Sequence, residues 1–239
     1  MYPVDRAVII LAVCAPELAG RRLTVEGRRI VVAVYARVAL LLAFVDRYAY
    51  APAAVERLRA DPSWLAAEAR LLEVAVERVS LHGDVVPMRL LTVVSNVEAL
   101  ETIAREQSRA WSRTLARLAT KRECVVHLFI GPHVPPGGDP YVLRIAGRAV
   151  KTGRLVLKGQ PEAVVDHVRS VWRMCVEGAR TTRRLPTAND RGALWSGVVL
   201  LEESAVATFA VAFTDGAAAG LPLGISAYLE PPRPPFSFV

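Results

Sequence analysis

Four histidines, three cysteines and a serine in a Trp-Ser-Gly context are the residues of this 239-residue chain whose chemistry would matter first. His82, His127, His133 and His167 would hold a metal if two shared a helix face at close spacing or met paired cysteines. The chain has no H-E-x-x-H, no facial triad and no C-x-x-C, so no metal site is expected. Ser196, in Leu194-Trp195-Ser196-Gly197, lacks the G-x-S-x-G turn that lifts a nucleophilic serine above a sheet. Gly131, Gly137 and Gly138 lie in a proline-rich run without the lysine or helix start that a phosphate cradle needs. No convergent titratable cluster is legible. The expectation is therefore a non-enzymatic chain with no cofactor. Cys14, Cys124 and Cys175 are odd in number, far apart and set in apolar surroundings, which reads as buried thiols in a reducing cytosol.

With 53% apolar and 22% charged residues, the composition is globular and far from the disordered regime. The net charge of +7 makes an acidic partner worth considering. Only Lys121, Lys151 and Lys158 are lysines; the other basic residues are arginines, whose planar forks suit carboxylates and aromatics as well as phosphate. They are scattered along the chain, unlike a dedicated nucleic-acid stripe, and read first as solvated helix faces. Two apolar stretches invite a membrane reading. Ala7–Ala15 is short and follows Asp5-Arg6, and its Leu11-Ala-Val-Cys14 has a poor residue before the cysteine for a lipoprotein box. Ile30–Val45 has Arg37 at its centre and falls short of the ~20 residues a span needs. Both read better as core strands, so no membrane association is expected.

The elements that must position these residues follow from pattern. Residues 4–14 form a buried strand by their run of aliphatic residues. Glu26-Gly27 separates strand-like runs Arg22–Val25 and Arg28–Val38, which suggests a hairpin. Asp61-Pro62 offers an N-cap and a first-turn proline for a helix to about Val79. Val85–Val94 reads as a strand whose Pro87 implies an edge position or a bulge. Ser95–Glu98 has the pattern of a capping box opening a long helix, with Val97, Leu100, Ala104, Trp111, Leu115 and Leu118 on its apolar face. Lys121–Ile130 is a strand, 131–140 a loop, and Tyr141–Leu157 ambiguous between short strands and an irregular arm. A second firm helix starts at Pro161, with Val164, Val168, Val171 and Cys175 on one face. Arg180–Gly192 reads as a loop, Leu194–Leu201 as a strand, Glu202 to about Ala212 as a short helix, and Leu223–Leu229 as a final strand. Trp64, Trp111 and Trp172 lie on helices at core spacing.

This order gives an α+β chain of two domains. Residues 1–80 would form a smaller antiparallel α+β unit. Residues 81–239 would form a modified ferredoxin-like βαβ-βαβ domain with an inserted helix and an extended proline-rich tail, 231–239. A basic ferredoxin-like module could bind RNA, but that requires aromatic platforms on adjacent strands, and 85–94 with 121–130 supply only Phe129.

Three features in sequence resemble the gas vesicle protein F/L family (GvpF/GvpL). Val85-Val86-Pro87-Met88-Arg89-Leu90-Leu91-Thr92-Val93 is similar to that family's V-L-P-M-R-F-G-T-V strand. It leads into a helix near Val97-Glu98-Ala99-Leu100 and then a strand opening at Glu123. The terminus Pro231-Pro-Arg-Pro-Pro-Phe-Ser-Phe-Val239 resembles the family's G-P-W-P-P-Y-S-F-V ending. Leu90, Leu91 and Val94 stand where relatives have Phe, Gly and Phe; Leu72-Glu73 stands for His-Glu; Arg233 and Phe236 replace Trp and Tyr. The resemblance implies two α+β domains and a cytoplasmic, gas-vesicle-associated role in vesicle formation. It also implies binding to other gas vesicle proteins, the small hydrophobic wall protein included; given the missing aromatic platforms, no nucleic acid is expected. A wall subunit with an apolar face is aggregation-prone before assembly, so a partner that holds it is physically sensible. Pro87, Arg89, Arg233, Phe236 and Phe238 are the candidate partner-contact or tail-docking residues. Arg89 serves equally as a structural ion pair in a buried strand. The tail reads either as an extended docking peptide or as a fold-back cover, the latter because two phenylalanines exposed to water are a liability.

Overall fold

Strands that are apolar on both sides need a layer of helix on each face, and the first unit of the protein supplies both. The computed structural model describes residues 6–130, 160–179, 181–184 and 193–238, without the side chains of 130, 181–184, 193 and 238. The chain divides into two units. One runs to Ala119 and includes Pro234–Ser237; the other runs from Thr120 to Arg233. The fold is a mixed α+β one built on antiparallel sheets.

In the first unit, β1 (Arg6–Cys14), β2 (Arg22–Val25), β3 (Arg28–Tyr35) and β4 (Val38–Asp46) are followed by α1 (Pro52–Leu58) and α2 (Pro62–Ser80). Then come β5 (Val85–Pro87), β6 (Val93–Val94) and α3 (Val97–Leu118). The sheet order is β2-β3-β4-β1-β5, with β6 also pairing β1. Ile9, Leu11 and Cys14 of β1 face a core with Leu71, Leu72, Ala75, Val76 and Val79 of α2. Val8, Ile10 and Val13 face the other side with Leu100 and Ala104 of α3. This two-sided burial explains why the strand sequence shows no alternation. Each fully buried leucine or isoleucine contributes about 1.5–3 kcal/mol.

The Glu26-Gly27 hairpin is a two-residue turn with both residues left-handed (φ 49° and 76°), the backbone that matches the twist of the strands it joins. The apolar stretch Ile30–Val45 is a second hairpin, not one strand. It reverses at Ala36-Arg37 (Ala36 φ 54°), which sets Arg37 in water. The Asp61 carboxylate caps α2, accepting from the N–H groups of Ser63 and Trp64 at 2.9 and 3.3 Å. For α3 the cap is Asn96 rather than Ser95: its Oδ1 accepts from Ala99 N–H at 2.8 Å. Glu68, 2% exposed, sits on the buried side of α2. Its carboxylate accepts from Arg28 Nη1 at 2.9 Å and from the Tyr50 hydroxyl at 2.6 Å.

In the second unit, β7 (Lys121–Ile130), α4 (Glu162–Gly178), β8 (Thr181–Arg184), β9 (Ala193–Glu202), α5 (Val206–Ala218) and β10 (Ile225–Leu229) follow one another. The sheet order is β10-β7-β9-β8, every pair antiparallel. Val164, Val168, Val171 and Cys175 of α4 and Phe209 and Phe213 of α5 cover one face, over Cys124, Val126, Leu128, Val199 and Leu201. A short 3-10 turn, Glu203–Ala205, precedes α5, which continues to Ala218, six residues beyond the expected end. β8 lies within the expected loop Arg180–Gly192. Thr-Thr-Arg-Arg carries no apolar alternation, because it is a polar edge strand of the sheet. The readings of 131–140 and 141–157 lie outside the described residues.

Two corrections follow. The units divide after Ala119 and not at residue 80, since β5 and β6 pair with β1 and α3 packs on β1, β3 and β4. The strand counted into the second unit at Val85–Val94 therefore belongs to the first, and β8 is the strand that completes the second sheet. Among the described residues, no helix is long and apolar enough to cross a membrane.

Candidate functional site

Proline in a strand removes a ladder donor, and here the strand ends at it. β5 pairs with β1 through Cys14↔Val85, Val13↔Val86 and Ala12↔Pro87, and β6 resumes at Ile9↔Val93. Two residues of β1, Ile10 and Leu11, thus face five, Met88–Thr92. The surplus is looped out. Its ends are clamped where Met88 N–H donates to Leu11 C=O at 2.8 Å and Ile10 N–H to Thr92 C=O at 2.9 Å. At the tip, Thr92 N–H closes a turn on Arg89 C=O at 3.2 Å, and the Thr92 hydroxyl donates to the same carbonyl at 2.7 Å. Leu91, third in that turn, has φ 62°, a left-handed backbone that favours glycine. Its side chain and that of Leu90 are half-buried on the α2-side core, while Met88 packs on the α3 side. Pro87 is buried and Arg89 is exposed. The segment is therefore a projecting turn that anchors its apolar residues and presents one guanidinium. The expectation of a buried Arg89 in a structural ion pair does not hold.

The second cluster lies on the face of the second sheet opposite α4 and α5. His127 of β7 is in register with Ser196 of β9 and Tyr228 of β10. Its Nδ1 is 2.8 Å from Ser196 Oγ and its Nε2 is 3.1 Å from Glu230 Oε1. Arg233 follows. Its Nε donates to Glu123 Oε1 at 2.8 Å, its Nη2 reaches the same oxygen, and its Nη1 lies 3.4 Å from Glu230 Oε2. The backbones of Glu123 and Arg233 also exchange both hydrogen bonds, at 2.8 and 3.0 Å. Glu123 is fully buried and Arg233 is 8% exposed. Charged groups so desolvated persist only when paired. Arg233 is thus a latch for the last strand-like stretch of the chain.

Ser196, His127 and Glu230 have the chain of contacts of a hydrolase triad, but not its access. Ser196 is 5% exposed in mid-strand, and the neighbouring N–H groups of β9 are engaged in ladders with β7 and β8. Gly197, which follows, makes room for a ring: a Cβ there would lie 2.5 Å from Trp195, which packs edge-on against Trp172. The arrangement holds charge in place. It does not present a nucleophile.

Of the five residues singled out in the sequence, Pro87, Arg89 and Phe236 belong to the first unit, with Phe236 half-buried against the α2-side core. Arg233 belongs to the second, locked by Glu123. Phe238 closes a short 3-10 turn, Phe236–Phe238. Sequence reasoning missed the Ser196–His127–Glu230 chain and the Arg28–Glu68–Tyr50 group. Both join residues tens of positions apart, and strand register was the signal that would have found the first. Phe129, the aromatic a nucleic-acid platform would need, is buried at 5% exposure. Among the described residues, no three potential metal ligands cluster. Burial pushes the Cys14 and Cys175 thiols up to about 12. Burial, then the Glu123 charge, pushes Cys124 to about 11.

Comparison with known proteins adds the following. Residues 8–135, more than half of the chain, match the family model described as gas vesicle synthesis protein GvpL/GvpF. Among solved structures, the chain is similar to the crystal structure of the gas vesicle protein GvpF from Anabaena sp. PCC7120, with a TM-score of 0.68 and 11% identity over 97% of both chains. It is also similar to the crystal structure of GvpF from Microcystis aeruginosa, with a TM-score of 0.64 and 11% identity over 97% of this chain and 98% of that one. At such identity the likeness is one of fold. No match is found among curated proteins.

Proposed function

Because this chain belongs to the gas vesicle synthesis protein GvpL/GvpF family, we propose that it is a non-enzymatic accessory or minor structural protein of gas vesicle formation. It acts in the cytoplasm at the gas vesicle and binds other gas vesicle proteins, the major wall protein among them. The observation that carries this reading is the projecting turn Met88–Thr92. It lies inside the family-matching segment and is anchored through Met88, Leu90 and Leu91, so that Arg89 is free to meet a partner. Two further points support the architecture expected of it. The second unit's β-α-β-β-α-β order, with sheet order β10-β7-β9-β8, supports a ferredoxin-like reading, and the two units support a two-domain one. The tail acts as a structural cover with Arg233 as its anchor, rather than as a free docking peptide.

Co-expression with the major wall protein tests the proposal. The full chain is expected to retain the wall protein on purification, and Arg89→Glu to weaken that retention without lowering thermal stability. A truncation lacking residues 231–239 is a poor control, because it strands the buried Glu123. No retention by the full chain under any ionic condition would defeat the binding reading. Unchanged retention by Arg89→Glu would remove the turn from the interface.

A further inference from the structure

The wet face of α3 carries charges in an unusual order. Glu98 and Glu101 come first, Arg105, Arg109 and Arg113 follow at steps of four residues, about 6 Å apart, and Glu106 stands next to Arg105. All six are exposed, and the opposite side of the helix is anchored by Leu100, Ala104, Leu115 and Leu118. Among the described residues, none of the six side chains is in an ion pair, even though Glu101 and Arg105 stand at a spacing that would allow one. The helix dipole favours acid at the start and base at the end, but only within the first and last turns. Arg105 and Arg109 sit in the middle, next to one another at a spacing where like charges repel. The dipole does not account for them.

We propose that this stripe is self-complementary and pairs, antiparallel, with α3 of a second copy of this chain. A two-fold axis between Arg105 and Glu106 sets Glu98 opposite Arg113 of the second copy, and Glu101 falls within one residue of its Arg109. Two-fold symmetry repeats each pair, giving four. A parallel arrangement would set acid on acid and base on base, so the charge order selects one orientation. A phosphate backbone fits less well, because Glu98 and Glu101 share the face with the arginines. Exposed ion pairs are individually weak and screened by salt, so the association is a weak one that favours high local concentration.

Sedimentation velocity of the full chain tests this. The weight-average mass should rise above 26.0 kDa with concentration in about 50 mM salt and return to the monomer value in 1 M salt, where the Debye length is about 3 Å. Variant E98R/E101R/E106R and variant R105E/R109E/R113E should each stay monomeric, and an equimolar mixture should regain the mass of the wild type. A gentler set serves if either triple variant unfolds: E101R and R109E each weaken the association, and E101R/R109E together restore it. A monomeric wild type at low salt overturns the proposal. So does a mixture that stays monomeric, or a swap that fails to restore. Nucleic acid retained by E98R/E101R/E106R and lost by R105E/R109E/R113E would also overturn it, by making the stripe a phosphate surface.

Discussion

Removing the Arg233 guanidinium should be among the most damaging single changes outside the aliphatic cores. Glu123 has no exposed surface, and Arg233 gives it two donors on one carboxylate oxygen. Arg233→Ala leaves that carboxylate desolvated and short of its countercharge, a loss of about 3–5 kcal/mol. For a chain of this length each kcal/mol lowers Tm by roughly 2–4 °C, so the expected drop is roughly 6–20 °C. The backbone exchange between residues 123 and 233 survives the substitution, and so isolates the charge effect. Replacing both partners, as in E123Q/R233M, should recover most of the loss, because the penalty is the stranded charge rather than the missing contact. Thermal and urea denaturation would measure the deficit against wild type. A deficit under about 1 kcal/mol would refute the reasoning and make the pair equivalent to an ordinary surface contact.

Three other outcomes are expected. At position 91 glycine should be more stable than alanine by about 1 kcal/mol, reversing the usual order, because Leu91 occupies a left-handed backbone; urea denaturation of Leu91→Gly and Leu91→Ala compares them. None of Cys14, Cys124 and Cys175 should react with a thiol reagent at pH 8 in the folded chain, since burial holds all three thiols protonated, and all three should react once it is unfolded. Burial, with the hydrogen bond to Glu68, holds the Tyr50 phenol above its usual range, so its stabilisation is complete below pH ~10 and lost as pH rises through the raised value. Tyr50→Phe should cost about 1.5–3 kcal/mol at neutral pH by denaturation, and its absorbance titration should differ from wild type only at the alkaline end.

Much of the local structure was legible. The caps and apolar periodicity gave α2 nearly to the residue and the starts of α3 and α4 to within a residue, and Glu26-Gly27 gave the first hairpin. What failed was register and partnership. Ile30–Val45 carries apolar residues on both sides of its turn, so only Ala36-Arg37 marked the reversal. Thr181–Arg184 lacks any apolar signal because an edge strand can be polar. The assignment of Val85–Val94 to a domain depended on its pairing with β1, more than seventy residues earlier, which no local pattern encodes. The Pro-Met-Arg motif was visible as a motif, but its meaning was not. A strand was expected, and the excess of three residues over β1 turns it into a projecting loop. The familial glycine at position 91 finds its physical reason there, in a left-handed turn residue that this chain fills with leucine.

The central claim is a role in gas vesicle formation. It is tested most directly by deleting the chain from a gas-vesicle-forming host and restoring it in trans, with turbidity that collapses under pressure as the readout. Loss of collapsible turbidity on deletion, with recovery from the full chain, is the result expected. Normal vesicle formation without it would contradict the account.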